Sequence, residues 1–196
     1  MYITGGVGST NLGEAFTMDY DLPKDTNYCE TCASVGMVFF AQQMLEHEID
    51  SNYADVIERQ LYNGALAGMA LDGKHFYYVN PLEVDPQISA FNPSRSHVLT
   101  QRADWFGCAC CPSNLARLIA SVEKYVYSVT ADTLSINQYI ASKIELKGNV
   151  SVEQVNDYPW SGELVFKISN PELELKKLAL RIPSWSKKQF SLSVNG

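Results

Sequence analysis

The stretch CETCASVGMVFFAQQMLEH, residues 29–47, places potential metal ligands at the start of a long apolar run. From about Thr31 to His47, apolar side chains fall on nearly every side of a helix, which predicts a core helix enclosed by other elements. Glu30 and Cys32 are two residues apart, so they share a face of an extended segment but diverge on a helix. We therefore expect both to lie just before the helix.

Two more helices are predicted in the first two thirds of the chain. The segment from about Asn52 to Met69 has apolar residues at helical spacing, and its Asp55–Arg59 pair is favourable at four residues apart. The next helix begins at Pro112, because proline suits a first helical turn. Its predicted core stripe consists of Leu115, Leu118, Ile119, Val122 and Val126.

Beyond about Tyr127 the apolar period changes from helical to two, which predicts antiparallel β-strands. Turn-prone segments such as 147–149 separate the runs at spacings typical of a β-sandwich. The change of period predicts a boundary near Tyr125, dividing the chain into residues 1–125 and 126–196. The predicted strands contain Leu134–Ile136, Val150–Val152, Leu164–Ile168, Leu178–Ile182 and Phe190–Val194.

Charge and composition argue against nucleic-acid and membrane partners. The chain has 196 residues, 46% of them hydrophobic, and a formal net charge of -7. This charge argues against a nucleic-acid partner, because phosphate binding requires clustered Lys and Arg. No run approaches the roughly 20 apolar residues of a membrane helix, and residues 1–6 lack the basic region followed by an apolar one that marks export. We therefore expect a cytoplasmic protein without membrane partners.

The five cysteines form two tight groups, residues 29–32 and 108–111. An odd, clustered set suits a reducing compartment, where such thiols are more often metal ligands or catalytic groups than disulfides. Pro112 disfavours helical geometry at Cys111, so we expect Cys110 and Cys111 to approach a helix N-terminus in extended form. Two short-range pairs brought together by the fold would complete a four-coordinate Zn²⁺ site.

A glycine-rich loop, residues 5–14, ends at Glu14 and contains four glycines that allow close backbone approach to a ligand. It is not a phosphate-binding loop, because no Gly-Lys-Ser/Thr closes it. The Glu14 carboxyl could serve as an acid/base, or it could be a solvated surface charge.

Four motifs in order make the chain resemble glycoside hydrolase family 127, the β-L-arabinofuranosidases. They are Gly5-Gly6-Val7-Gly8-Ser9 with Gly13-Glu14, Glu30-Thr31-Cys32-Ala33-Ser34-Val35-Gly36, Tyr78-Val79-Asn80-Pro81-Leu82 and Cys108-Ala109-Cys110-Cys111-Pro112-Ser113-Asn114. The resemblance implies an α+β multidomain chain in which the C-terminal part of an (α/α)6 barrel precedes a partial antiparallel β-sandwich. It covers about the middle third of a family member.

The resemblance also implies a role for each motif residue. Cys110 would be the nucleophile and Glu14 the general acid/base of a hydrolysis that retains anomeric configuration. Tyr78 would contact the β-L-arabinofuranoside substrate near the nucleophile. The implied Zn²⁺ ligands are Glu30, Cys32, Cys110 and Cys111.

The resemblance leaves part of the expected pocket unfilled. Family members contribute histidines from an earlier half of the barrel, and His47, His75 and His97 match none of those positions. Cys29 has no place in the family pattern. Cys108 is expected to lie beside the ligand residues without coordinating the metal. We expect a fragment whose exposed half barrel associates with a second copy or with the missing half.

Two other functions remain open from the sequence. Four protein ligands without an open position normally mark a structural zinc module. A non-catalytic carbohydrate-binding fragment is the other alternative, resting on the β region and on aromatic residues that could stack on sugars. Those aromatic residues are Tyr158, Trp160 and Trp185.

Overall fold

The computed structural model describes residues 1–195 and divides the chain into two compact units. The first unit combines Met1–Gln43 with Val56–Ser121, and the second combines Met44–Asp55 with the chain from Val122 onward. The helices are α1 (Thr31–His47), α2 (Ser51–Arg59), α3 (Pro86–Ser89), α4 (Cys110–Ala120) and α5 (Glu123–Val126). The strands are β1 (Tyr127–Val129), β2 (Thr133–Ile136), β3 (Ser142–Glu145), β4 (Ser151–Asn156), β5 (Leu164–Ser169) and β6 (Lys177–Leu180).

Helix α1 confirms the helix predicted over Thr31–His47, but its surroundings differ from the prediction. Val35 and Val38 are buried on one face of the helix, whereas the side chain of Phe40 is 59% exposed. The prediction of a helix enclosed on every side is therefore wrong within the described residues. The exposed side of α1 carries Phe40 together with Gly36 and Gln43.

The predicted helix over 52–69 is not a single α-helix. Helix α2 ends at Arg59 and continues as a π-helical turn over Gln60–Ala65 and a 3-10 turn over Leu66–Gly68. Close packing explains the local change, because a side-chain carbon at Gly64 would lie 2.5 Å from the Ser34 hydroxyl oxygen. The widened turn brings backbone against the start of α1 where a larger residue would collide.

Backbone contacts fix the start of α1 against the segment 76–80. Glu30 forms an isolated antiparallel bridge with Val79, and the Thr31 N–H donates to the Tyr78 carbonyl at 2.9 Å. The Thr31 hydroxyl donates to the Tyr77 carbonyl at 2.8 Å. These bonds place Tyr78 beside the N-terminal turn of α1.

The second unit contains two three-stranded sheets, ordered β1-β2-β6 and β3-β4-β5. Leu134, Ile136, Tyr139 and Val152 from both sheets and the segment between them form one buried cluster. Three strand pairings are antiparallel as predicted, but β2 and β6 are parallel. The long connection between these two strands, which includes the second sheet, gives the chain the length that a parallel pairing needs.

The strand predicted over Phe190–Val194 is absent from the described residues. Phe190, Leu192 and Val194 are all more than half exposed. A strand requires a neighbour for its backbone hydrogen bonds, and no strand of residues 1–195 pairs with this segment. Among the same residues, no helix has the length and apolar character that crossing a bilayer requires.

Candidate metal centre

The N-terminus of α1 carries Glu30 and Cys32. Glu30 lies just before the helix, as predicted, and is only 8% exposed. Cys32 is the second residue of α1, so the prediction that it precedes the helix is wrong. The bridge to Val79 holds Glu30 outside the helix, and side chains of the first turn point back toward the helix N-terminus. The two side chains can therefore reach one point from different backbone conformations.

The N-terminus of α4 carries Cys110 and Cys111. Both were expected in extended backbone before the helix, and that expectation is wrong, because α4 begins at Cys110. Pro112 is tolerated as the third helical residue, since N–H groups of the first turn have no partner within the helix. Cys111 is buried at 1% exposure, whereas Cys110 is half-buried.

The two helix ends converge on one small volume. One ligand atom from each of Glu30, Cys32, Cys110 and Cys111 lies within 4.8 Å of all the others. Cys32 Sγ is 3.5 Å from Cys111 Sγ, and Cys110 Sγ is 3.9 Å from Cys111 Sγ. Cys110 Sγ is 3.4 Å from Glu30 Oε1. The structure thus brings together all four residues that the sequence suggested as zinc ligands.

The chemistry and spacing of this cluster fit Zn²⁺. Tetrahedral zinc with Zn–S bonds of about 2.3 Å separates its sulfurs by roughly 3.8 Å. The two sulfur pairs that include Cys111, at 3.5 Å and 3.9 Å, lie near that value. Glu30 is buried but takes part in no ion pair among residues 1–195. A buried carboxylate requires a compensating charge, which a divalent cation would supply.

Burial makes two thiols of the centre, Cys32 and Cys111, hard to ionise without such a cation. Burial raises the pKa of Cys32 to about 12, and hydrogen bonding from Asn114 partly opposes the shift. Burial also raises the pKa of Cys111 well above its ordinary range, and the neighbouring Cys32 adds to the shift. The positive ends of the two helices alone therefore do not ionise Cys32 and Cys111.

Asn114 is a contact of the centre that the sequence reasoning did not identify. Its Nδ2 donates to Cys32 Sγ at 3.1 Å, and its Oδ1 accepts from Arg117 at 2.6 Å. Because Arg117 occupies the oxygen, the amide presents its nitrogen to the sulfur. Its spacing in the sequence could have identified it, because Asn114 lies one helical turn beyond Cys110 on α4 and therefore on the same side of the helix.

Tyr78 lies directly against the exposed side of the centre. Its hydroxyl is 3.2 Å from Cys110 Sγ, and its ring packs edge-on against Phe106 with centroids 5.5 Å apart. The hydrogen bond with Cys110, followed by burial, raises the pKa of Tyr78 above its ordinary range. Tyr78 therefore keeps its hydroxyl proton, and its oxygen accepts a hydrogen bond from the Cys110 thiol. Contact between Tyr78 and a substrate stays a prediction.

Glu14 lies on a separate exposed loop and is tied to the centre through a residue that the motifs did not single out. The loop is closed by a bridge between Thr10 and Ala15, and Glu14 adopts a left-handed φ of 51°. Tyr28, which is buried, donates its hydroxyl proton to Glu14 Oε1 at 2.9 Å. The rings of Tyr28 and Tyr78 lie 6.2 Å apart between centroids.

Cys29 and Cys108 do not join the ligand cluster in the described part of the chain. Cys29 is buried, and a side-chain carbon at Gly6 would lie 2.8 Å from its sulfur, which identifies Cys29 as a packing residue. Cys108 is exposed, and all five thiols are free. His97 contacts the Asn27 carbonyl at 3.2 Å through Nε2.

Comparison with protein families covers most of the chain. The model for the β-L-arabinofuranosidase GH127 catalytic domain matches residues 1–124, and the model for the GH127 middle domain matches residues 133–196.

Individual relatives agree with these matches. A non-reducing end β-L-arabinofuranosidase from Bifidobacterium longum subsp. longum is 51% identical over 201 residues, covering 100% of this chain and 30% of the relative. The crystal structure of a GH127 β-L-arabinofuranosidase from Geobacillus stearothermophilus T6 matches with 50% identity and a TM-score of 0.87, covering 94% of this chain and 29% of that chain. A second GH127 β-arabinofuranosidase structure has 40% identity and a TM-score of 0.80, covering 94% and 28%.

The chain thus spans less than one third of the length of these relatives. Its α+β architecture matches the GH127 structures, and the two family domains follow each other along the sequence. On these grounds the chain belongs to glycoside hydrolase family 127.

Proposed function

We propose that this chain supplies the zinc ligands, the nucleophile and the general acid/base of a retaining β-L-arabinofuranosidase. The observation that carries the proposal is the convergence of three thiols and Glu30, with the half-buried Cys110 in contact with the Tyr78 hydroxyl. Cys32 and Cys110 are both half-buried, but the Tyr78 hydroxyl contacts Cys110, and such a sulfur suits a site that binds a metal and also reacts. The family's β-L-arabinofuranosidase description supports the substrate class.

In the first step the Cys110 sulfur attacks the anomeric carbon of the sugar as the bond to the leaving oxygen breaks. Glu14 donates its proton to that oxygen, so the leaving group departs as a neutral alcohol. The product is a glycosyl–cysteine bond and an ionised Glu14. Tyr78 can donate a hydrogen bond to the ionised Cys110 sulfur before attack while keeping its own proton, because its pKa is raised.

In the second step the ionised Glu14 takes a proton from a water molecule that attacks the anomeric carbon. The carbon–sulfur bond breaks, the sulfur regains its electron pair, and Glu14 is again protonated. Two inversions at the same carbon retain the anomeric configuration. Most retaining glycosidases use a carboxylate for the role assigned here to Cys110.

Glu30, Cys32, Cys110 and Cys111 would hold the metal. Bound Zn²⁺ would supply the positive charge that keeps buried thiols ionised and would make sulfur a better leaving group in the second step. Asn114 would orient Cys32, leaving Cys110 on the more accessible side.

The wider organisation is part of the same proposal. Residues 1–125 would form the C-terminal part of an (α/α)6 barrel, and residues 126–196 part of a β-sandwich. A second copy or the remaining barrel half would cover the exposed face of α1 that carries Phe40, where apolar surface is unfavourable. The free thiols suit a cytoplasmic location.

A structural zinc module is the second candidate, because four protein ligands can close a zinc site. The half-buried position of Cys110 and its contact with Tyr78 favour reactivity instead. A carbohydrate-binding role for the β region has weaker support. Tyr158 packs on Tyr139 at 5.7 Å, as a core residue does, although Trp160 and Trp185 are exposed.

Hydrolysis of aryl β-L-arabinofuranosides by the whole gene product that contains this chain tests the proposal. Cys110→Ser and Glu14→Gln should each lower kcat/KM by at least about 100-fold. Cys108→Ser is the matched control, because this exposed thiol is outside the cluster, and it should retain activity. Equal turnover by all of these proteins would contradict the assigned roles.

A further inference from the structure

Tyr28 lies between the two groups assigned to proton transfer and nucleophilic attack. Its hydroxyl donates to Glu14 Oε1 at 2.9 Å, and its ring is tilted by 57° against that of Tyr78, with centroids 6.2 Å apart. The Tyr78 hydroxyl in turn lies 3.2 Å from Cys110 Sγ. Two tyrosines thus link the carboxylate on an exposed loop to the sulfur on α4.

The backbone around Tyr28 also anchors the loop that carries Glu14. The N–H of Tyr28 donates to the Gly8 carbonyl at 3.1 Å, and the N–H of Ser9 donates to the Ala15 carbonyl at 3.0 Å. Glu14 itself is exposed and has a φ of 51°, which non-glycine residues adopt rarely. An exposed carboxylate on such a turn needs a fixed partner to keep one orientation, and Tyr28 is rigid because it is buried.

We infer that Tyr28 is a positioning residue that fixes which oxygen of Glu14 transfers the proton. The inference rests on the proposed function. Because Oε1 accepts the Tyr28 hydroxyl, the proton of the neutral acid resides on Oε2, which receives no hydrogen bond from the described residues. In the first step the Oε2–H bond breaks as the leaving oxygen gains the proton and its bond to the anomeric carbon breaks. Tyr28 keeps its own proton throughout.

This role predicts a dependence on the leaving group. A basic alkoxide requires protonation in order to depart, whereas a dinitrophenolate departs readily without it. Misplacing Glu14 should therefore slow the hydrolysis of alkyl glycosides and leave the hydrolysis of dinitrophenyl glycosides nearly unaffected. Loss of general packing around Tyr28 would slow both substrates alike.

The experiment compares kcat/KM for methyl and 2,4-dinitrophenyl β-L-arabinofuranosides in the zinc-loaded whole gene product. Tyr28→Phe keeps the buried ring and removes the hydroxyl, so the fold and the zinc content should be unchanged. We expect a loss of about 10- to 100-fold on the methyl substrate and less than about threefold on the dinitrophenyl substrate. Tyr2→Phe is the matched control, since this tyrosine is also buried but its hydroxyl contacts neither Glu14 nor the four ligand residues, and it should leave both values unchanged.

Glu14→Gln separates this inference from the proposed function. If Glu14→Gln shows the leaving-group dependence and Tyr28→Phe does not, Tyr28 has no positioning role and the proposed function stands. If Glu14→Gln retains turnover of the methyl substrate, the acid/base assignment fails and the inference fails with it. If Glu14 is the acid/base and Tyr28 positions it, Tyr28→Phe should cause no further loss of kcat/KM in the Glu14→Gln background, because the group that Tyr28 positions is already absent.

Discussion

Cys110 Sγ lies 3.2 Å from the hydroxyl of Tyr78, on the accessible side of a cluster whose other sulfur on α4 is buried. Cys110 and Cys111 are adjacent in sequence and both face Glu30, yet only Cys110 has a hydroxyl neighbour. The helical start of α4 creates this difference, because consecutive residues on a helix point about 100° apart. Under the proposed function both sulfurs would hold the metal, and the Cys110 sulfur would also react.

Tyr78→Phe should slow the reaction without releasing the metal. A hydrogen bond to a charged group contributes about 1.5–3 kcal/mol, so we expect kcat/KM to fall roughly 10- to 100-fold. Zinc content should stay the same, since Tyr78 is not a ligand. Tyr77→Phe is the matched control, because the ring of Tyr77 contacts Arg102 rather than the cluster. Equal effects of both substitutions would remove Tyr78 from the reactive site.

Zinc affinity should rise steeply with pH. Burial raises the pKa of Cys32 to about 12 and moves that of Cys111 in the same direction, so both thiols are protonated near neutral pH before the metal binds. Binding must then release protons, and affinity must increase as protons become scarcer. Competition with a chromophoric chelator between about pH 6 and about pH 8 measures the slope. An affinity that does not change over this range would mean that these thiols are not ligands.

Asn114→Ala should weaken metal binding while preserving the fold. The amide donates to Cys32 Sγ at 3.1 Å, and loss of such an outer contact typically costs about 10- to 100-fold in metal affinity. The charge-transfer absorption of the Co²⁺-substituted protein should shift as well, because the hydrogen bond changes the electron density on sulfur. Asn63→Ala, at an exposed position of the same unit, should change neither property. Unchanged affinity in Asn114→Ala would show that the contact is incidental.

The ion pair of Asp55 and Arg181 should stabilise the second unit. Arg181 is buried and Asp55 is half-buried, and their charged groups lie 2.5 Å apart. Asp55 also accepts from the Ser184 N–H at 3.0 Å. Asp55→Ala leaves the Arg181 charge without this partner, and we expect the free energy of unfolding to fall by about 3–5 kcal/mol in chemical denaturation. Glu145→Ala, which breaks an exposed pair with Lys143, is the control and should have little effect. A similar small effect of Asp55→Ala would contradict a stabilising role.

Much of the fold could be predicted from local pattern. The apolar run of α1 predicted its bounds, and alternation predicted four of the six strands, including Leu164–Ser169. The parallel pairing of β2 with β6 was not predictable, because alternation reports which face a residue occupies and not which strand lies beside it. The exposure of Phe40 also escaped prediction, since an apolar pattern does not reveal whether the covering element is within the chain.

The candidate site also contains residues that the sequence predicted and residues that it did not. The four suggested ligands share chemistry that is visible in the sequence, and the structure brings them together. Tyr28 and Asn114 were missed because a tyrosine or an asparagine carries no distinctive signal until tertiary contacts place it against Glu14 or Cys32. The helical placement of Cys110 and Cys111 differed from expectation because proline in a first turn restrains the preceding residue without forbidding a helix.

The most direct measurement is the identity of the residue that becomes glycosylated. The zinc-loaded whole gene product is mixed with an activated β-L-arabinofuranoside, quenched in acid during turnover, digested and mapped by mass spectrometry. The account predicts a pentosyl adduct on Cys110, lost in Cys110→Ser and unaffected in Cys108→Ser. An adduct on Glu30, whose carboxylate is 3.4 Å from Cys110 Sγ, would contradict it, as would product formation with no adduct at Cys110.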